Sequence, residues 1–136
     1  MAGSVLVDTG FLVALLSARD RHHEWAVTLA QEYPPPWQTC EAVLSEAFHL
    51  LGTDGASSLT ELLRTRSLGA PFDLDEDLDP VLRLIEKYAD VPASLADAAL
   101  VRMTETLADP VILTTDTDFR IYRRHGRQVV PCVMPR

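Results

Sequence analysis

Four acidic residues are set apart in this chain by where they fall: Asp8, Glu46, Asp97 and Asp116. Asp8 closes the apolar run Val5-Leu6-Val7, and Asp116 closes Val111-Ile112-Leu113-Thr114-Thr115. Runs of this kind read as buried strands. In open α/β sheets, ligands bind beyond the carboxyl ends of the strands, so two parallel strands here would present both carboxylates on one side. A single loop or capping aspartate is commonplace; a matched pair at strand ends is less so. Carboxylates gathered around one pocket repel each other by about 4 kcal/mol per close pair at an effective dielectric near 20, and a divalent cation relieves that repulsion. Oxygen donors with no cysteine or histidine cluster favour Mg²⁺ or Mn²⁺ over zinc. Such an ion lowers the pKa of water and stabilises charge developing on a phosphodiester.

The other two acids have plain structural explanations beside the chemical one. Ser94-Leu95-Ala96-Asp97 is close to a capping box, which would account for Asp97 without catalysis. At about 100° per residue, however, Asp97 falls among Leu100, Val101 and Thr104 and opposite Arg102 and Thr106. An acid on an interior face needs a partner, because an unpaired buried charge is costly. Glu46 shares a helix with Val43, Leu44, Ala47, Phe48, Leu50 and Leu51 and sits at the margin of their apolar arc, where a surface glutamate is equally at home.

The elements that must position these acids alternate. A strand at Val5–Val7 turns through Gly10 into a helix over Phe11–Ala18, and a second helix spans about His22–Glu32 until Tyr33-Pro34-Pro35-Pro36 stops it. A brief strand over Pro36–Thr39 leads to a helix over Cys40–Leu51, with Thr39 as its cap. Gly52-Thr53-Asp54-Gly55 breaks that helix, and Ser57 or Ser58 opens another ending near Arg66. A short strand over Ala70–Leu74, a helix over Asp77–Tyr88 and a helix from Pro92-Ala93-Ser94 to Ala108 follow. Val111–Thr115 and Gln128–Val133 are the last strands. Alternation of this sort predicts an α/β domain with a mostly parallel sheet.

Length and composition bound the rest. A chain of 136 residues, 47% hydrophobic and 24% charged, is the size of one globular domain able to bury a core without disulfides. The longest apolar run near the start, Phe11–Leu16, is six residues, against about 20 for a membrane span. It has no basic flank and no secretory cleavage pattern, so a cytoplasmic location is expected. Cys40 and Cys132 read as small buried hydrophobes and not as a disulfide. The net charge of −8 is unusual for a nucleic-acid binder, but it is unevenly placed. Asp73, Asp75, Glu76, Asp77 and Asp79 concentrate negative charge, while Arg120, Arg123, Arg124 and Arg127 form a basic run close behind Asp116. Those four arginines are the sequence's offer of phosphate contacts, with a solvated surface as the alternative. His22 and His23 are adjacent, which on a helix separates them by about 100°, and a surface or packing role is expected.

Asp8 in Val-Leu-Val-Asp-Thr-Gly, Glu46 at the end of Thr39-Cys-Glu-Ala-Val-Leu-Ser-Glu, Asp97 in Ser-Leu-Ala-Asp-Ala, and Leu113-Thr-Thr-Asp-Thr-Asp-Phe119 occur in an order that resembles the PIN-domain family. Within that family the chain resembles the VapC-type ribonuclease toxins. The resemblance runs from Val5 to about Val133. It implies a three-layer α/β/α sandwich spanning residues 1–136, with Asp8, Glu46, Asp97 and Asp116 as the acidic site and Asp8, Asp97 and Asp116 as the main metal ligands. It further implies Mg²⁺- or Mn²⁺-dependent RNA cleavage, a homodimer, and a cognate antitoxin protein as partner. Asp118 is an extra acid near the site, and Thr9 and Thr115 are expected to support neighbouring ligands through their hydroxyls. Two other readings compete. A haloacid-dehalogenase-like phosphatase would want a second aspartate two residues after Asp8, where Gly10 stands. A catalytically silent PIN-like module docking a protein or RNA would not need all four acids.

Overall fold

Leu6 and Val7, adjacent on one strand, can both be buried only if the sheet that holds them is covered on both faces. The computed structural model, which describes residues 3–136, satisfies that requirement. In chain order the elements are β1 (Ser4–Val7), α1 (Thr9–Leu16), α2 (His23–Glu32), β2 (Trp37–Gln38), α3 (Glu41–Arg64), β3 (Leu68–Gly69), α4 (Leu78–Lys87) and α5 (Leu95–Thr106). Then come β4 (Pro110–Leu113), a 3-10 turn (Thr117–Arg120), β5 (Arg123–Arg124), β6 (Gln128–Val129) and β7 (Cys132–Val133).

Five strands make one parallel sheet in the order β3-β2-β1-β4-β7. From β1 the chain first winds outward through β2 to β3, then returns to the other side of β1 for β4 and β7. Parallel crossovers are right-handed, so the two winding directions place their helices on opposite faces. The contacts agree: α1 packs on α2 and α3, whereas α4 packs on α5. The expected three-layer α/β/α arrangement with a parallel sheet is the one observed. The reversal falls between β1 and β4, whose register pairs Val7 with Leu113.

The core follows from this layering. Leu6, Val7, Ile112 and Leu113 are fully buried, as are Phe11, Leu12, Val43, Leu59 and Leu100 from the helices. Each such side chain contributes about 1.5–3 kcal/mol on burial. Phe11 meets Trp37 and Trp25 edge-on at centroid distances of 5.4 and 6.0 Å, which knits α1 to β2 and α2. α5 is the most buried helix, with Ala96 to Val101, Met103 and Thr104 all inside.

Several local expectations are corrected. The Gly52-Thr53-Asp54-Gly55 segment does not end the third helix. Gly52 adopts φ 71° and ψ −170°, a conformation open to glycine, and the helix resumes at once beyond that kink to Arg64. Thr39 does not cap α3: Cys40 holds the cap position, and the Thr39 hydroxyl instead donates to the Val7 carbonyl at 2.7 Å. The third strand is Leu68–Gly69, upstream of the expected Ala70–Leu74, because Trp37 and Gln38 pair there. The final strand is split around Val130-Pro131. Before the break, β6 pairs antiparallel with β5 in a small hairpin; after it, β7 joins β4. Both cysteines are free. Among the described residues, no helix is long and apolar enough to cross a membrane.

Candidate metal centre

Asp8 is the first residue past β1, and its position has two consequences. It caps α1, its Oδ1 accepting the Thr9 N–H at 2.7 Å. Because Val7 pairs with Leu113, it also lies beside Thr114, whose hydroxyl donates to Asp8 Oδ2 at 2.8 Å. The same Thr114 oxygen accepts the Asp116 backbone N–H at 2.9 Å. One buried hydroxyl thus ties the ends of both central strands together. Asp116 in turn opens the 3-10 turn, with Oδ1 accepting the Asp118 N–H at 2.9 Å.

Asp97 enters from α5. Ser94 caps that helix through the Asp97 N–H at 3.0 Å, so the capping reading is correct for the backbone. The Asp97 side chain is a separate matter: it is only 8% exposed, and its Oδ2 accepts the Tyr122 hydroxyl at 2.7 Å. Tyr122 is itself buried, held edge-on by Phe119 at 5.3 Å and Tyr88 at 5.1 Å.

One carboxylate oxygen each from Asp8, Asp97 and Asp116 can be chosen so that all three lie within 4.8 Å of one another. They line a cleft of about 460 Å³ with Thr9, Gly10, Val13, Asp20, His22, Glu46, Leu50, Pro92, Ser94, Ala96, Thr115 and Asp118. Burial pushes the Asp8 carboxyl up to about 6, with the nearby Asp97 and Asp116 charges adding to that rise and the Thr114 and Thr9 hydrogen bonds opposing it. Burial also raises Asp97 above the usual carboxylate range, with the Tyr122 hydrogen bond working against it. Three acids held this close are an uncompensated negative site. The all-oxygen donor set fits a hard divalent cation such as Mg²⁺ or Mn²⁺, with Asp8, Asp97 and Asp116 as the residues that would hold it.

Glu46 is exposed on α3; it lines the cleft but stands outside the three-acid cluster. Asp118 lines the cleft as well. The basic run is divided by the fold. Arg123 Nη1 donates to the carbonyls of Arg120, Ile121 and Tyr122, and Arg124 Nη2 donates to the Thr104 carbonyl. Arg120 and Arg127 are exposed, and none of the four lines the cleft. The expected hydroxyl supports also differ. Thr9 turns its hydroxyl toward the Val43 carbonyl at 3.5 Å and Thr115 packs over Gly10, whereas the Thr114 hydroxyl bonds to Asp8. Two residues that reading the sequence missed, Thr114 and Tyr122, are signalled only by strand register and tertiary packing. His22 precedes α2 and faces the cleft, while His23 Nδ1 lies 2.8 Å from the Ala14 carbonyl and ties α2 to α1.

A parallel α/β sheet with an acidic, cation-fitting cluster at its switch point is therefore the class that fold and site define. The chain belongs to the PIN domain family, whose model matches residues 5–124. Among solved structures it is similar to the crystal structure of Mycobacterium tuberculosis VapC20, a sarcin-ricin loop cleaving toxin. The two share 24% identity and superpose with a TM-score of 0.67 over 85% of this chain and 92% of that one. No curated protein matches the chain by sequence.

Proposed function

We propose that the protein is a Mg²⁺- or Mn²⁺-dependent endoribonuclease, the toxin of a toxin–antitoxin pair. The observation that carries this reading is the convergence of Asp8, Asp97 and Asp116 within 4.8 Å at the sheet's switch point, in a chain of the PIN domain family. The likeness to a toxin that cleaves the sarcin-ricin loop supports RNA as the substrate class. In this reading residues 1–136 work as one nuclease domain in the cytoplasm, as a homodimer, with an antitoxin protein as inhibitory partner.

When bound by the three aspartates, the cation supplies positive charge to the phosphodiester and makes water more acidic. The chain's own groups supply the order. Thr114 fixes the spacing of Asp8 and Asp116 by bonding to both. Tyr122 fixes the rotamer of Asp97 and, as a donor, satisfies an oxygen that faces away from solvent. Glu46, across the cleft and exposed, orients the attacking water or accepts its proton. Arg120 and Arg127, the two exposed arginines of the run, contact phosphates outside the cleft.

The test is cleavage of structured and single-stranded RNA by wild type and Asp8→Asn in Mn²⁺, with EDTA as control. Wild-type cleavage that disappears in the variant and in EDTA is expected. Equal activity in the two proteins sinks the assignment. Absence of both cleavage and a Mn²⁺-induced thermal shift points instead to a silent binding module.

A further inference from the structure

The cleft has a second wall that the carboxylates do not explain. Between α1 and α2 the chain passes through Asp20, Arg21 and His22. Asp20 and His22 line the same cleft as Asp8, Asp97 and Asp116. This connection is a built turn. Asp20 Oδ1 accepts the His22 N–H at 2.8 Å, and the Asp20 carbonyl accepts the His23 N–H at 3.0 Å. The Trp25 ring meets the His22 imidazole edge-on at 6.3 Å. Arg21 is exposed, and its Nε donates to His22 Nε2 at 3.0 Å. A guanidinium only donates, so His22 Nε2 is the acceptor. The bond holds the arginine against a residue that lines the cleft. Among the described residues the salt bridges found are those of Arg102, so the Arg21 charge is not spent on a carboxylate.

Charge decides what this arrangement is for. The acids lining the cleft are Asp8, Asp20, Glu46, Asp97, Asp116 and Asp118, and among the described residues no lysine or arginine lines it. A bound cation offsets part of that field, but an RNA strand must still approach a strongly negative opening. Arg123 and Arg124 each donate to backbone carbonyls, and neither lines the cleft. Arg21 is the cation held at the wall of the cleft by a residue that lines it. We propose that Arg21, positioned by His22, binds a backbone phosphate of the RNA strand entering the cleft, with the terminal guanidinium nitrogens as donors. This rests on the nuclease reading above for the nature of the polyanion. It adds a binding residue that lies outside the basic run of the sequence.

The experiment measures binding apart from cleavage. A fluorescein-labelled, mixed-sequence single-stranded RNA is titrated in EDTA at several KCl concentrations with wild type, Arg21→Gln, His22→Gln and Arg64→Gln. Arg64 is exposed at the far end of α3 and controls for net charge. Arg21→Gln should raise Kd about three- to tenfold. It should also reduce the slope of log Kd against log salt by about 0.7, the loss of one single-strand phosphate contact. His22→Gln should show a smaller rise in Kd, and Arg64→Gln neither change. An Arg21→Gln slope equal to wild type overturns the inference even if Mn²⁺-dependent cleavage is found. RNA binding with the expected Arg21 effect but no cleavage in Mn²⁺ overturns the nuclease reading and leaves the inference standing. Failure of the wild type to bind RNA overturns the inference.

Discussion

At the scale of single residues, the site stores unfavourable charge, and its metal-free properties should show it. The Asp8 carboxyl ionises near 6 in the folded protein against 3.8 when free of its surroundings. Between those values the folded state binds more protons than the unfolded chain. The contribution of Asp8 is therefore fully present below pH 3.8 and is lost as pH rises through about 6. In EDTA, Asp8→Asn should be more stable than wild type at neutral pH, and the gap in Tm should open as pH rises from 4 to 7. A gap of constant size across that range contradicts the assignment. Thr114→Val removes the donor to Asp8 and the acceptor of the Asp116 N–H. It should lower stability by about 1–3 kcal/mol in urea titrations and reduce RNA cleavage at least about tenfold by loosening both carboxylates. The aspartates were legible in the sequence because strand ends and helical direction place them. Thr114 was not. Its partner lies 106 residues away, and only the Val7–Leu113 register shows that it stands beside Asp8.

At the scale of elements, the close approach of α1 to the β4 end depends on a missing side chain. A Cβ built on Gly10 would lie 1.9 Å from Thr115 Oγ1 and 3.1 Å from Thr115 Cβ. Gly10→Ala should destabilise by about 1–3 kcal/mol through overpacking, and Thr115→Ala, by removing the nearer atom, should recover part of that loss. A double-mutant cycle by chemical denaturation reads the coupling directly; additive effects would mean that α1 simply shifts. In the sequence Gly10 read as a turn into the first helix and as the wrong residue for a phosphatase, and its packing reason is visible only in three dimensions. Elsewhere, local signals misled where tertiary structure overrode them. Gly52-Thr53-Asp54-Gly55 has the composition of a loop, yet one glycine at positive φ kinks α3 and the helix carries on. The long helices and β1 and β4 were legible because each holds a clear period or an apolar run. β2 fell within the expected Pro36–Thr39, whereas β3 was misplaced and the break between β6 and β7 was missed, because pairing alone defines so short an element.

At the scale of the whole molecule, a cation held by the three aspartates would couple its binding to folding through one cluster. Saturating Mn²⁺ should raise Tm, since a ligand that binds only the native state at about 100 times its Kd stabilises by about 2.7 kcal/mol. Asp97→Asn should abolish the shift by calorimetric or fluorescence melting, because one of three ligands is lost; an undiminished shift would place the cation elsewhere. Sheet order also bears on when this protein can become active during its own synthesis. β1 is translated first, yet its neighbour β4 and the strand beyond it, β7, come last. The Thr114 N–H is taken by the Val133 carbonyl at 3.2 Å, so the segment that aligns the two central carboxylates is completed only by residues close to the end of the sheet. A nascent chain still short of Val133 carries Asp8, Asp97 and Asp116 around a β4 whose outer edge, at Leu113 and Thr114, has yet to gain its partner. While it is being made, the ribosome therefore holds a polypeptide whose acidic cluster stands on an unfinished sheet.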